Sequence, residues 1–475
     1  MLNINEEFVN KTAPNQSAIS NGQGLVKKDS FVKLSISHDE TILFGECKGS
    51  GASNYTTSCD FSNMENPVFR CSCPSRQFPC KHSLGLMYAY INGKKFDVAE
   101  IPEDLVQKRE KAQQREEKKK EKSQTEPKKV NKNALEKKIK TQKEGLALLE
   151  KIVASIAKAG LGTINIKTLT QLEDQINNLG NYYIPGAQVL LRELKELFNN
   201  NGDNEKIYLE AVDLITRIYA ICKKGNEYLD KKLADPDLSM DKESTIDEWL
   251  GQSWQLAELK AAGLVENDAE LVQLSFNSIC NNARREYVDI GVWINLKSGQ
   301  IVETKNYRPF KALKYIKEED SFYSVAQINE LCVQPGDLNP RVRWEGMTMR
   351  DITSKDYSTI ISQAKSSYQE VFKVIRNQIK NPLSSKYPVV LLKFSDIKLI
   401  SGNYVIEGLD GQKLVLSDKL TFGEQVTNDV LSLLKKENLK NQVALVRFFN
   451  DFEEKRLYGK ILSIVKVDEI VRLTF

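Results

Sequence analysis

Long apolar runs are missing from this sequence, and no stretch approaches the roughly 18 apolar residues that a membrane helix needs. The opening residues, MLNINEEFVNKTAPNQS, lack the apolar core of a secretory signal. The chain therefore reads as soluble and cytoplasmic, with no membrane partner. Cysteine is sparse, eight in 475 residues, which excludes a disulfide-stapled scaffold. Three of the eight, Cys71, Cys73 and Cys80, crowd into ten residues. Cys47, Cys59, Cys222, Cys280 and Cys332 are scattered and read as small buried hydrophobes. Histidine is scarcer still, with only His38 and His82.

Nucleotide motifs are lacking as well. Gly49, Ser50 and Gly51 could bring backbone amides to an anion, but no P-loop spacing accompanies them, and they read as an inter-strand turn. GLGTINIKT, from Gly160, has Leu161 and Ile166 where a P-loop needs glycines, so it reads as a helix stop. Glu318, Glu319 and Asp320 look like a surface turn. Trp249, Trp254 and Trp344 read as core. No nucleophile–base pair is visible, so no catalytic residue is assigned and the chain is read as a non-enzyme.

Charge is present but uneven. Residues 107 to 144 hold fifteen Lys or Arg against seven Glu, a balance of +8 in a chain whose total is +4. Everything outside that segment therefore carries −4. A length of 475 residues implies two to four domains.

The texture changes along the chain. Residues 1–28 are polar and expected to be disordered. FVKLSIS, TILFGEC, YTTSCDF and PVFRCSC are strand-like, with His38, Asp39 and Glu40 as a hairpin turn, and SLGLMYAYING is helical. These make a module over 29–100. A charged linker follows over 101–142. From Gly145 the apolar period becomes 3.6, and four helices over 143–264 suggest an antiparallel bundle, with a fifth helix from Thr245 to Ala262 capped by Ser244. Residues 265–380 read as mixed, with a hairpin at Lys297–Gly299 and a helix from Tyr357 to Lys380. Residues 381–475 read as a C-terminal β-rich domain. The fold class is α+β: a small β/α module, a helical bundle and a mixed, β-rich C-terminal half.

The spacing at Cys71, Cys73, Cys80 and His82 is C-x-C, six residues, C-x-H. Three thiolates and an imidazole satisfy the tetrahedral N/S preference of zinc and leave no position for water, so one structural Zn²⁺ is expected. Arg70, Arg76 and Lys81 flank the motif and are expected to offset its negative charge, or to contact a partner or a phosphate. Cys80 and His82 are two apart, so Cys80 should precede a helix whose first turn holds His82.

RCSCPSRQFPCKHSLGLMYAY resembles the core of the SWIM zinc finger, with its C-x-C, variable gap and C-x-H. FGECKGSGASNYTTSCDF resembles the strands that precede the finger in bacterial members. GLALLEKIVASIAKAGL and YIPGAQVLLRELKEL resemble the helical segment that follows it. The resemblance implies a module that binds DNA, RNA or protein. It also implies relatives commonly encoded beside MoxR-type AAA+ ATPases and von Willebrand factor A-domain proteins. A protein–protein adaptor working with such a partner is thus expected. The alternative is DNA or RNA binding through the finger and the Lys-rich linker.

Overall fold

The N-terminal strands close into a five-stranded sheet in a computed structural model of the chain. It describes all residues except 1, 3, 15, 50–52, 65–66, 76–78, 104, 107–108, 110–131, 200–203, 236–237, 239, 314–315, 317, 420–425 and 475. The chain divides into two units, Met1–Lys129 and Val130–Phe475. Both α-helices and β-sheets are present, as an α+β class requires. No helix among the described residues is long and apolar enough to cross a membrane.

In the first unit, β1 (Phe31–Ile36), β2 (Ile42–Cys47), β3 (Tyr55–Asp60) and β4 (Val68–Cys71) form an antiparallel meander. β5 (Asp97–Val98) adds to β1 in parallel. The helix after the last cysteine, α3 (Lys81–Ile91), buries eight consecutive residues from His82 to Ala89. A helix that is buried all round must be covered on two sides. The sheet covers one.

The N-terminal segment covers the other, which corrects the expectation of disorder over 1–28. It forms α1 (Glu6–Thr12), capped by Asn5, and α2 (Gln16–Lys27). Val9, Ala13 and Ile19 join Leu84, Leu86, Met87 and Tyr88 in one core. Few apolar residues suffice, because they join the core that α3 and the sheet already form.

The second unit begins with a helical bundle: α4 (Lys132–Ala159), α5 (Ile166–Leu179), α6 (Pro185–Leu197) and α7 (Asn204–Ala234). α4 starts inside the segment expected to be linker. Ile139 and Gln142 are buried, and the Gln142 amide donates to the carbonyls of Tyr183 (2.9 Å) and Leu250 (3.2 Å). The single helix expected over 245–262 is two short ones, α8 (Ile246–Trp249) and α9 (Leu256–Ala261). Gly251, at φ +77°, turns the chain between them, and Gln255 with Glu258 caps the second. The N-cap is Thr245, not Ser244, whose hydroxyl donates to Asp241 and accepts from Ile246 N at 3.4 Å.

Two antiparallel sheets complete this unit. The first has the order β10 (Val342–Arg343), β9 (Val325–Val333), β6 (Val265–Asn281), β7 (Glu286–Asn295), β8 (Ile301–Pro309), with β11 (Thr348–Arg350) also on β9. The second runs β14 (Lys413–Val415), β13 (Asn403–Gly408), β12 (Val389–Ile400), β15 (Lys440–Asp451), β16 (Arg456–Val465), β17 (Ile470–Arg472). The helix expected from Tyr357 to Lys380 is split into α10 (Ser354–Gln363) and α11 (Tyr368–Lys380). Between them Lys365 donates to Leu391 O and accepts from Lys393 N, both at 2.8 Å, so β12 captures the chain there. The last helix, α12 (Asn428–Leu433), is short. Residues 265–380 and 381–475, separated in the sequence reading, share a core in which Val272, Ile294 and Ile301 meet Val389, Leu391 and Leu445. Trp254 is buried, and Trp249 and Trp344 pack against buried clusters.

Candidate metal centre

β4 ends at Cys71, the loop after it carries Cys73, and Cys80 occupies the N-cap position of α3 with extended backbone (φ −75°, ψ 169°). Lys81 opens the helix and His82 follows in its first turn. One potential ligand atom from each of Cys71, Cys73, Cys80 and His82 lies within 4.8 Å of the other three. His82 Nδ1 is 3.7 Å from Cys71 Sγ and 3.9 Å from Cys80 Sγ. Zinc–sulfur and zinc–nitrogen bonds of ordinary length at a tetrahedral angle would place S and N about 3.6 Å apart. The donor set and its spacing therefore fit one zinc ion.

Cys73, Cys80 and His82 are buried and Cys71 is half-buried, so the site is nearly shut to solvent. The thiols differ in their proton affinity. A hydrogen bond from Cys71, helped by His82, pulls Cys80 to about 3, while the same bond, together with burial, pushes Cys71 up. One of the three is thus predisposed to the thiolate that a metal requires.

The flanking cations fall in different places. Cys71 pairs with Thr57 and shares the sheet face that looks at α3. Arg70 is its neighbour in the same strand, so alternation turns Arg70 to the opposite face. The expectation that Arg70 offsets the site's charge from beside it is therefore corrected. Lys81 is exposed at the first turn of α3, close enough to act on the neighbouring Cys47 thiol. Arg76 lies outside the described residues, as do Ser50 and Gly51 of the glycine turn.

Residues the motif did not point to complete the surroundings. Tyr55 stands against the His82 imidazole, with ring centroids 5.0 Å apart. Ser83 and Thr57, both buried, place their hydroxyls 3.1 Å apart, and Ser83 Oγ is 3.6 Å from Cys80 Sγ. Cys59 donates to Ser83 O at 3.5 Å. Burial pushes that thiol well above its usual range. The signal for these residues is the alternation in YTTSCD, which sends Tyr55, Thr57 and Cys59 to one face.

Residues 70–91 match the SWIM zinc finger family. Among curated proteins none matches the chain. The finger accounts for the four ligands and for α3, and the match extends no further along the chain.

Proposed function

We propose that this chain is a zinc-stapled, non-enzymatic interaction protein, an adaptor whose finger unit and larger second unit present surfaces to a protein partner. The observation that carries this reading is the closed donor set. Four protein ligands leave no coordination position for a substrate or a water, as befits a structural zinc rather than a catalytic one. SWIM fingers mediate contacts with proteins or nucleic acids, and the net acidic balance outside residues 107–144 favours a protein. The resemblance to bacterial SWIM-containing proteins makes a MoxR-type AAA+ ATPase, or a von Willebrand factor A-domain protein, the partner to try first.

A second reading keeps one observation on its side, the +8 balance of residues 107–144. A Lys-rich segment that neutralises phosphates would bind DNA or RNA with a constant that falls steeply as salt rises. The test is an affinity capture from the native host with wild type and Cys80→Ser in parallel. A stoichiometric protein recovered only with wild type supports the adaptor. Nuclease-sensitive recovery of nucleic acid, weakened tenfold or more by a few-fold rise in salt and lost on deletion of 107–131, replaces it with the second reading.

A further inference from the structure

The metal ligands come from two pieces of chain. Cys71 and Cys73 belong to β4 and the loop after it, whereas Cys80 and His82 belong to the start of α3. A chain of hydroxyls runs between these pieces. Thr57 Oγ1 lies 3.2 Å from Arg70 O, the carbonyl just before Cys71, and 3.1 Å from Ser83 Oγ. Ser83 Oγ in turn lies 3.6 Å from Cys80 Sγ. Ser83 has no exposed surface and Thr57 almost none, so water does not compete for these contacts.

Counting protons fixes how the chain must run. Thr57 and Ser83 each own one hydroxyl proton. Arg70 O can only accept, and a metal-bound Cys80 thiolate can only accept. With metal bound, the Cys80 sulfur, which the Ser83 backbone amide also reaches, can take the Ser83 hydroxyl only as a donor, and Thr57 then donates towards Arg70 O, or shares its proton between Arg70 O and Ser83 Oγ.

We infer that Ser83 is a positioning residue of the metal centre: it donates a hydrogen bond to the Cys80 thiolate, with Thr57 behind it, and so ties the strand half of the ligand set to the helix half. This rests on the zinc site itself and not on the identity of any partner. A hydrogen bond to a metal-bound thiolate holds the sulfur in place and stabilises its charge. Partners of this kind, one shell out from the ligands, alter metal affinity by roughly ten- to a hundred-fold when removed.

The experiment uses the full chain carrying Ser83→Ala, Ser83→Thr and Thr57→Val, loaded with zinc or with cobalt(II) as a spectroscopic stand-in. Zinc loss to a chromogenic chelator is timed, and the sulfur-to-cobalt charge-transfer band is recorded. The expectation is that Ser83→Ala speeds zinc loss by about ten-fold and shifts the band, that Ser83→Thr restores both, and that Thr57→Val gives a smaller change in the same direction. The band position reports the electron density on the thiolates, which a merely loosened fold would broaden rather than shift. The inference is overturned if Ser83→Ala matches wild type in both readouts, or if Ser83→Thr fails to restore the band while still binding cobalt. Failure of the wild-type chain to bind cobalt at all would overturn it together with the metal site.

Discussion

Gly22 of α2 and Gly85 of α3 meet backbone to backbone where the two helices cross. A Cβ built on Gly22 would lie 3.0 Å from Leu84 Cβ and 3.2 Å from Gly85 N, and one built on Gly85 would lie 3.2 Å from Gly22 O. The crossing carries the N-terminal helices onto the same α3 that holds His82. Nearby, Tyr88 of α3 hydrogen-bonds Asn10 of α1.

A side chain at this crossing should push α2 away. Gly22→Val adds a branched group where even one carbon is crowded, and overpacking of this kind costs about 1–3 kcal/mol. The variant is expected to lose hydrogen-exchange protection first in residues 16–27 and then in α3. Unchanged protection in both helices would show that the crossing tolerates separation.

Zinc should govern the first unit and leave the second alone. A structural zinc finger draws on the order of 10 kcal/mol of folding free energy from its metal. Because α1 and α2 pack on α3, the loss should reach the N-terminus and not stop at β1. Cys73→Ser, Cys80→Ser or a strong chelator is expected to abolish exchange protection across residues 4–98. All four tryptophans (Trp249, Trp254, Trp293 and Trp344) lie in the second unit, so their fluorescence should not change. Retained protection or full zinc content in the serine variants would contradict this.

How much of this was legible in the sequence differs residue by residue. The four ligands were, because their spacing is local and only one metal chemistry suits three thiols and an imidazole. The surroundings of the site were legible in principle. Period-two alternation separates Arg70 from Cys71 and aligns Thr57 with Cys59, but it acts only once strand bounds and facing elements are known. Ser83 carries no such signal, since its role depends on Thr57 arriving from a strand 26 residues earlier. The N-terminal helices were hidden by composition. Residues 1–28 read as disordered, yet Gly22 is there because two helices must touch. The unbroken apolar run of α3 was the available clue, for a helix with no polar face needs cover on both sides. Helix breaks at Gly251 and Lys365 also escaped, because the apolar period persists across them while the backbone is claimed by turns and by β12.

Arg308 and Asp289 form an ion pair that almost no water reaches. Their side chains are 7% and 0% exposed and lie 2.7 Å apart, and Asp289 also accepts from Ser278 (2.8 Å) and from the Glu319 amide (3.1 Å). Removing one partner strands the other charge, which costs about 3–5 kcal/mol, whereas replacing both with apolar groups is often neutral. Arg308→Met is therefore expected to lower the urea midpoint of the tryptophan-monitored transition. Adding Asp289→Leu should recover much of the loss. A double variant as weak as the single one would mean that the hydrogen bonds from Ser278 and Glu319, and not the stranded charge, set the cost.

A last expectation concerns acid. Arg350 holds two carboxylates at once: its Nε and Nη2 reach Glu270 at 3.0 Å each, and its Nη1 and Nη2 reach Asp356 at 2.8 and 2.9 Å. Asp356 also accepts from the amide and hydroxyl of Thr353, both at 2.7 Å, at the start of α10. The Arg350 guanidinium holds the Asp356 carboxyl well below its ordinary 3.8, and it lowers Glu270 as well from 4.5. A carboxylate whose folded-state value is depressed stabilises the fold fully above its unfolded value, and that contribution fades as pH falls towards the folded value. The window thus opens below about pH 4.5, where Glu270 and then Asp356 would begin to take up protons in the unfolded chain. Wild type should lose stability steadily from there downwards. Arg350→Met should be less stable at neutral pH and should show a shallower fall below pH 4.5, because its two carboxylates titrate nearer their unfolded values in both states. Tryptophan-monitored urea unfolding between pH 3 and pH 7 reads this directly, and parallel curves for the two proteins would place the acid sensitivity elsewhere in the second unit.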